Sequence, residues 1–265
     1  MLKMRYTLNL LSIIIISLTP SILHAEFSLS ISPGISHFNY KETDTGGAVL
    51  NAETGFIPGF SLIASNNSHS FGSHFFTGNV EYDGQTQSGI PHTTDTDESL
   101  YYLFYRYDFK NINDQKNIFI GINYNYWERL IKAKNNVSAL YEEYRWWQLE
   151  AGVKLSKTIK NNKKIIFELA GLQTFNSNII VDLDNLGYGS PRLALGNKSG
   201  IRNLLGLDIK LNKNTDIRFA AEYKYWGFGR SNAKAISNGS RTVSILEPES
   251  TTKLWRFFIQ ITQYF

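Results

Sequence analysis

The sequence predicts an all-β protein, an antiparallel up-and-down β-barrel that crosses a membrane with about ten strands; eight or twelve strands are alternatives. Three observations favour this fold. Apolar and polar residues alternate along many segments, and the connections between those segments are alternately short and long. The chain also has a targeting pattern at its N-terminus and an apolar strand pattern at its C-terminus. Together they predict a signal peptide over residues 1–25 and one barrel domain over residues 26–265.

Period-two alternation is clear in the middle of the chain, where Ile118, Ile120 and Ile122 share one parity and Gly121 and Asn123 share the other. Successive side chains of a strand point to opposite faces, so this pattern predicts one apolar and one polar face. Each such segment is long enough for the ~9–11 residues of a tilted transmembrane strand. The predicted strands cover 27–39, 54–65, 70–83, 98–109, 116–130, 141–157, 163–177, 198–212, 215–229 and 251–265.

The connections between these segments alternate in length. Short turns rich in Asn, which tolerates the left-handed backbone of a tight turn, are predicted at 66–69, 111–114, 160–163 and 212–215. Longer polar loops are predicted near 41–53, 84–97, 131–140, 178–197 and 230–250. A transmembrane barrel sorts its connections in this way, with short turns on one side of the membrane and long loops on the other.

The N-terminus has the organisation of a targeting segment. Lys3 and Arg5 precede an apolar run over residues 8–18, and Ala25 offers a small residue for cleavage. The run is shorter than the ~20 residues that a spanning helix needs. We therefore expect a cleaved signal peptide, with an uncleaved anchor as the alternative.

Composition excludes several classes of function. The chain has no cysteine, which rules out disulfides, thiol catalysis and cysteine zinc sites. Without Lys3 and Arg5, its 27 basic residues fall to 25 against 23 acidic ones, a net charge of +2. So small an excess argues against a nucleic-acid partner. We expect no cofactor and no metal.

The last segment resembles the C-terminal strand by which bacterial outer-membrane proteins are recognised for assembly. Its apolar positions form the predicted assembly signal: Trp255, Phe257, Ile259, Ile261 and Phe265. Gln263 departs from the family pattern, which has an aromatic or apolar residue there. The resemblance implies location in the bacterial outer membrane. It also implies contact with outer-membrane lipid and lipopolysaccharide, and recognition by the barrel-assembly machinery.

Tyr and Trp recur near the ends of consecutive predicted strands, as at Tyr101, Tyr126, Trp147, Tyr223 and Trp255. Amphipathic rings of this kind form the aromatic girdles of membrane barrels at the headgroup boundary. An aromatic-rich soluble core or a sugar-binding surface is the alternative interpretation.

Ten-stranded barrels include the omptin proteases, which use paired Asp residues and an Asp–His pair at the outer rim. The Asp-x-Asp pairs at 95–97 and 182–184 are predicted in or next to external loops, but neither has a His at the spacing of that family. His74 has Ser73 beside it, yet adjacent residues of a strand point to opposite faces. We therefore expect no enzymatic activity; a rim hydrolase is the least favoured alternative.

Charged residues of both signs fall on the inward parity of several strands. In a barrel little wider than the eight-stranded type, side chains nearly fill the interior, and buried charges must pair. Either a salt-bridged plug or a narrow ion path fits this pattern. The predicted lumen charges are Arg106, Asp108, Glu150, Lys154, Glu168, Asp208, Lys210, Arg218, Glu222, Lys224 and Arg256.

The sequence leaves two functions open. One is a structural or surface-interaction role, adhesin-like, in which the long loops contact a ligand outside the cell. The other is a small channel or porin for ions or small solutes.

Overall fold

The computed structural model describes residues 27–86, 89–109 and 115–265. The predicted signal peptide over residues 1–25 and the predicted turn at 111–114 lie outside these ranges. Within them, ten long strands form the barrel: β1 (Phe27–Thr43), β2 (Val49–Asn66), β3 (His69–Gln85), β4 (Pro91–Phe109), β5 (Lys116–Ile131), β6 (Leu140–Lys160), β7 (Lys163–Asp182), β9 (Ser199–Lys210), β10 (Thr215–Phe228) and β13 (Glu249–Tyr264). Three short strands lie in the connections: β8 (Arg192–Ala194), β11 (Lys234–Ser237) and β12 (Thr242–Ile245).

The sheet closes on itself. Each long strand pairs antiparallel with its neighbours in the sequence, and β1 pairs with β13 along nearly its whole length. The amide of Phe265 donates to the carbonyl oxygen of Phe27 at 2.9 Å, so pairing continues to the chain end. Closure satisfies the backbone groups that an open edge would expose to lipid. The predicted barrel of about ten strands is confirmed.

The strands are longer than predicted, and two of the five predicted long loops, at 41–53 and 84–97, are corrected accordingly. The connections near 131–140, 178–197 and 230–250 remain the longer ones. β3 and β4 pair as far as Gln85 and Pro91, so most of the predicted loop at 84–97 is strand. The connection between β1 and β2 shrinks to residues 44–48. These segments were predicted as loops because their outward residues are polar, but their inward residues are buried, as at Thr96 and Glu98. Burial of that inner face holds them in the sheet.

The predicted Asn-rich turns are tight where the structure describes them. β2 ends at Asn66 and β3 begins at His69, and between them Asn67 has a φ of 46°. This left-handed backbone is the conformation for which Asn is favoured in turns.

The outer surface carries an apolar band. Aromatic residues form its edge on the side of the longer loops. On β4 the outward residues Leu103 and Phe109 are 49% and 45% exposed, values expected of side chains that face lipid. The assembly-signal residues of β13 also face outward, and Phe265 is 71% exposed. Tyr101 forms part of this aromatic edge. Beyond it, toward the longer loops, the same face of β4 carries the exposed acids Asp97 and Asp95. The strands therefore continue beyond the membrane on the side of the longer loops.

No helix in the described ranges is long and apolar enough to span a membrane.

A matched pair of substitutions on β5 tests where the membrane lies. Ile120 and Leu130 share the outward face of this strand, and only Ile120 lies within the apolar band. Ile120→Arg is expected to destabilise the barrel by about 2–4 kcal/mol, because a lipid-facing charge within the apolar band loses its hydration. Leu130→Arg is expected to cost less than about 1 kcal/mol. Guanidinium unfolding in lipid vesicles measures both, and equal costs would contradict this placement.

Candidate functional site

The barrel interior contains three layers of side chains. Nearest the short turns lies the inner network: the predicted lumen charges other than Lys210, together with Arg202. Above it lies the aromatic layer: Phe38, Tyr40, Trp127, Tyr144, Trp146, Trp226 and Phe228. Furthest out lies the outer network: Glu42, Glu53, Glu98, Arg129, Glu142 and Glu247.

Arg202 is the hub of the inner network. Its guanidinium lies 2.5 Å from Glu150, 2.9 Å from Glu168 and 3.3 Å from Glu222. These carboxylates come from β6, β7 and β10, so one side chain on β9 joins three other strands. Several donors on one planar guanidinium make this bridging possible.

The predicted lumen residues occupy three kinds of position. Most form ion pairs: Arg106 with Asp108 and Glu168, Arg218 with Asp208, Arg256 with Glu222, and Glu150 with Arg202. Lys154 and Lys224 line the cavity described below. Lys210 does not belong to the network. It is exposed at the end of β9. Its position has inward parity, but this end of the strand lies at the rim of the barrel rather than inside the bore.

The sequence prediction omitted Arg202 from the lumen charges. Its position alternates with apolar outward residues such as Ile201, and it shares the parity of Asp208. Strand parity was therefore sufficient to find it.

The inner network surrounds a cavity of about 480 Å³. Its lining begins at Asn67, in the turn between β2 and β3, and ends against Tyr102, Lys224 and Leu254. No residue of the longer connections takes part, within the described ranges. The cavity thus reaches the rim on the side of the short turns and is blind on the other side.

The aromatic layer fills the bore above the cavity. Trp127 and Trp226 are 0% exposed and Trp146 is 1% exposed. Their rings pack directly on other rings, as between Trp127 and Tyr144, which stack with centroids 4.5 Å apart. Side chains packed in this way are as close as those of a protein core.

The longer connections add to this closure. β11 and β12 form a hairpin whose Ile236 and Ile245 are buried in the same hydrophobic cluster as the aromatic layer. Leu193 of β8 and the nearby Leu195 join that cluster from the connection between β7 and β9. Both connections therefore fold over the mouth of the barrel.

The outer network gathers five carboxyl groups around one guanidinium. Arg129 lies 2.6 Å from Glu142, 2.9 Å from Glu53 and 3.1 Å from Glu42. Hydroxyl groups also contribute, since Tyr40 donates to Glu42 at 2.8 Å. Oxygens remain without a partner in the described ranges, one on Glu53 and one on Glu98. One guanidinium cannot neutralise five carboxylates, so this layer carries an excess of buried acid.

Glu247 approaches the outer network from the connection between β12 and β13. It accepts a hydrogen bond from the Tyr144 hydroxyl at 2.8 Å. Burial, together with the neighbouring carboxylates of Glu42 and Glu142, raises the pKa of Glu247 well above its ordinary value.

Sequence analysis missed the outer network because most of its acids fall in or near segments predicted as loops. Glu42 and Glu53 lie at the edges of the predicted loop 41–53. Glu98 shares the parity of Arg106 and Asp108, two predicted lumen charges, which would have indicated an inward position.

The residues considered for catalysis do not form a known constellation. Asp95 and Asp97 lie on the outward face of β4, whereas His92 is buried on its inward face. His74 meets a serine, but it is Ser61 of β2 rather than Ser73, with the hydroxyl 2.5 Å from Nδ1. Arg256 also donates to Nδ1, at 2.9 Å, and no carboxylate orients the ring among the described contacts. No group of metal ligands occurs in the described ranges.

No protein-family model and no curated protein matches the chain. Among solved structures it is similar to the outer-membrane protease OmpT from Escherichia coli, at 9% identity and a TM-score of 0.54, over 91% of this chain and 97% of that one. Ail of Yersinia pestis (13% identity, TM-score 0.36, 90% and 98% coverage) and OprG of Pseudomonas aeruginosa (10%, 0.38, 91% and 96%) are less similar.

The likeness to OmpT concerns the fold alone. Taken with the closed sheet and the lipid-facing band, it confirms the predicted class, a bacterial outer-membrane β-barrel, and with it the predicted location.

A second matched pair of substitutions tests the outer network. Arg129→Met is expected to destabilise the barrel by about 3–5 kcal/mol, because it leaves buried carboxylates without their counter-charge. Arg145→Met removes an arginine that pairs with Glu143 on the outer face, where it is 38% exposed, and is expected to cost less than about 1 kcal/mol. Unfolding in vesicles measures both variants. Similar losses would show that Arg129 has no special role.

Proposed function

We propose that this chain is a sealed outer-membrane barrel with a surface-interaction role, rather than a channel. The observation that carries the proposal is the aromatic layer, in which three fully buried tryptophans close the bore. A path for ions or solutes would have to pass through this packing. In the proposed barrel this layer separates the charges of the inner network from the side of the longer connections.

The part of the barrel above the membrane offers a surface for such contacts. β3 and β4 both extend beyond the aromatic edge, and their outer face carries an acidic wall: Glu81, Asp83, Asp95 and Asp97. At ~3.4 Å per residue, the stretch of β4 from Pro91 to Leu100 adds about 30 Å of strand.

The acidic wall indicates the chemistry of the partner. Glu81 and Asp95 lie directly opposite each other on neighbouring strands, and both are exposed. Like charges in this arrangement destabilise a sheet. Of the four acids, Asp97 has a basic partner, Lys132, at 2.9 Å. A partner with a basic surface would relieve the repulsion, so we propose that the wall binds a basic protein surface.

Other contacts follow from the location. The apolar band meets outer-membrane lipid and lipopolysaccharide, and the assembly machinery recognises the residues of β13. The exposed, aligned side chains of that strand support this second part of the proposal.

Neutralising the wall tests the proposal. Cells displaying the barrel are expected to bind a basic probe protein, cytochrome c, in a salt-dependent manner, because exposed charges are screened by salt. The variant Glu81→Gln/Asp95→Asn is expected to lose most of this binding. The variant Asp182→Asn/Asp184→Asn removes two acids elsewhere on the outer side and serves as the control.

Succinylated cytochrome c, whose charge is reversed, is expected not to bind. Equal binding by the wall variant and the wild type would overturn the proposed role of the wall.

A further inference from the structure

The blind end of the cavity contains cationic and donor groups without partners. Lys224 is 8% exposed and forms no ion pair with a carboxylate in the described ranges. Its ammonium group lies instead over the rings of Tyr102, at 4.7 Å, and Trp226, at 5.3 Å. A buried charge that lacks a counter-ion is costly.

The carboxylates around Lys224 are held by other residues. Glu150 is bound by Arg202, and Glu222 is shared between Arg202 and Arg256. The positive charge of Lys224 is therefore not neutralised by direct contact.

Two more donors at the same end are unsatisfied. Among the residues that the structure describes, the hydroxyl of Tyr102, a residue 6% exposed, has no hydrogen-bond partner, and neither has Nε of Arg256, which is 7% exposed. Both residues line the cavity with Lys224. Buried polar atoms in a folded protein normally have partners, so unsatisfied donors beside an unpaired ammonium group call for an acceptor.

The dimensions of the cavity suit a small ligand. A volume of about 480 Å³ lies within the ~300–1,000 Å³ of ordinary small-molecule sites. Access lies on the side of the short turns, where Asn67 lines the entrance.

We infer that this cavity binds a small oxyanion, a phosphate or carboxylate group, that enters from the periplasm. The ammonium of Lys224 supplies the charge, and the Tyr102 hydroxyl donates a hydrogen bond. Arg256 adds positive potential while remaining paired with Glu222. This site is independent of the outer surface and of the proposed surface role, because the aromatic layer separates the two.

Equilibrium dialysis tests the inference. The full barrel, refolded in an uncharged detergent, is dialysed against radiolabelled inorganic phosphate and, separately, against succinate, with glycerol as a neutral comparison. We expect one equivalent of at least one anion to bind saturably, and glycerol not to bind. The anion that binds distinguishes a phosphate from a carboxylate ligand.

Variants assign the binding to the cavity. Lys224→Met is expected to weaken binding about tenfold or more, because it removes a charge-assisted hydrogen bond. Lys210→Met removes the same charge from an exposed position outside the cavity and is expected to leave the affinity unchanged. Tyr102→Phe keeps the ring, removes only the hydroxyl and is expected to weaken binding severalfold. If Lys224→Met does not fold, the affinity of Tyr102→Phe tests the inference by itself.

The inference is overturned if neither anion binds saturably, or if Lys224→Met and Tyr102→Phe, each folded by heat-modifiable gel mobility, bind as tightly as the Lys210→Met control. Neither result would bear on the acidic wall.

Discussion

Most charged side chains inside this barrel pair with a counter-charge in the bore, and these pairs organise the interior. Arg202 and Arg129 each contact three carboxylates that come from three other strands. Such contacts fix the strands relative to one another in a way that backbone pairing alone does not. Removing Arg129 would leave several buried acids without a counter-charge, and removing Arg202 would leave Glu150 without one, because Glu168 and Glu222 keep Arg106 and Arg256. An unpaired buried charge costs more than the pair contributes.

The two networks differ in their charge balance, and this difference separates the two ends of the barrel. The inner network contains six basic and five acidic groups, a surplus of one positive charge, and borders the cavity that Lys224 lines. The outer network has one arginine for five acids. The aromatic layer lies between them and, in the proposed sealed barrel, prevents exchange of ions. A surface role outside and a ligand site inside are therefore compatible in one barrel.

Period two and the spacing of turns predicted the fold class and about ten strands, because alternation is a direct consequence of strand geometry. The same parity predicted most of the inner network. It failed at Lys210, since parity gives the direction of a side chain but not its depth. The outer network and the full length of the strands were missed because polar, acidic segments were predicted as loops. Their inward burial depends on side chains from distant strands, such as Arg129 with Glu42.

Single-channel recording in planar bilayers tests the sealed bore most directly. The purified, refolded barrel is predicted to give no steady conductance steps at either polarity, whereas a variant with Trp127→Ala and Trp226→Ala is predicted to give fluctuating openings. Steady, reproducible open steps from the wild-type protein would contradict the account, because they would require a continuous aqueous path through the aromatic layer.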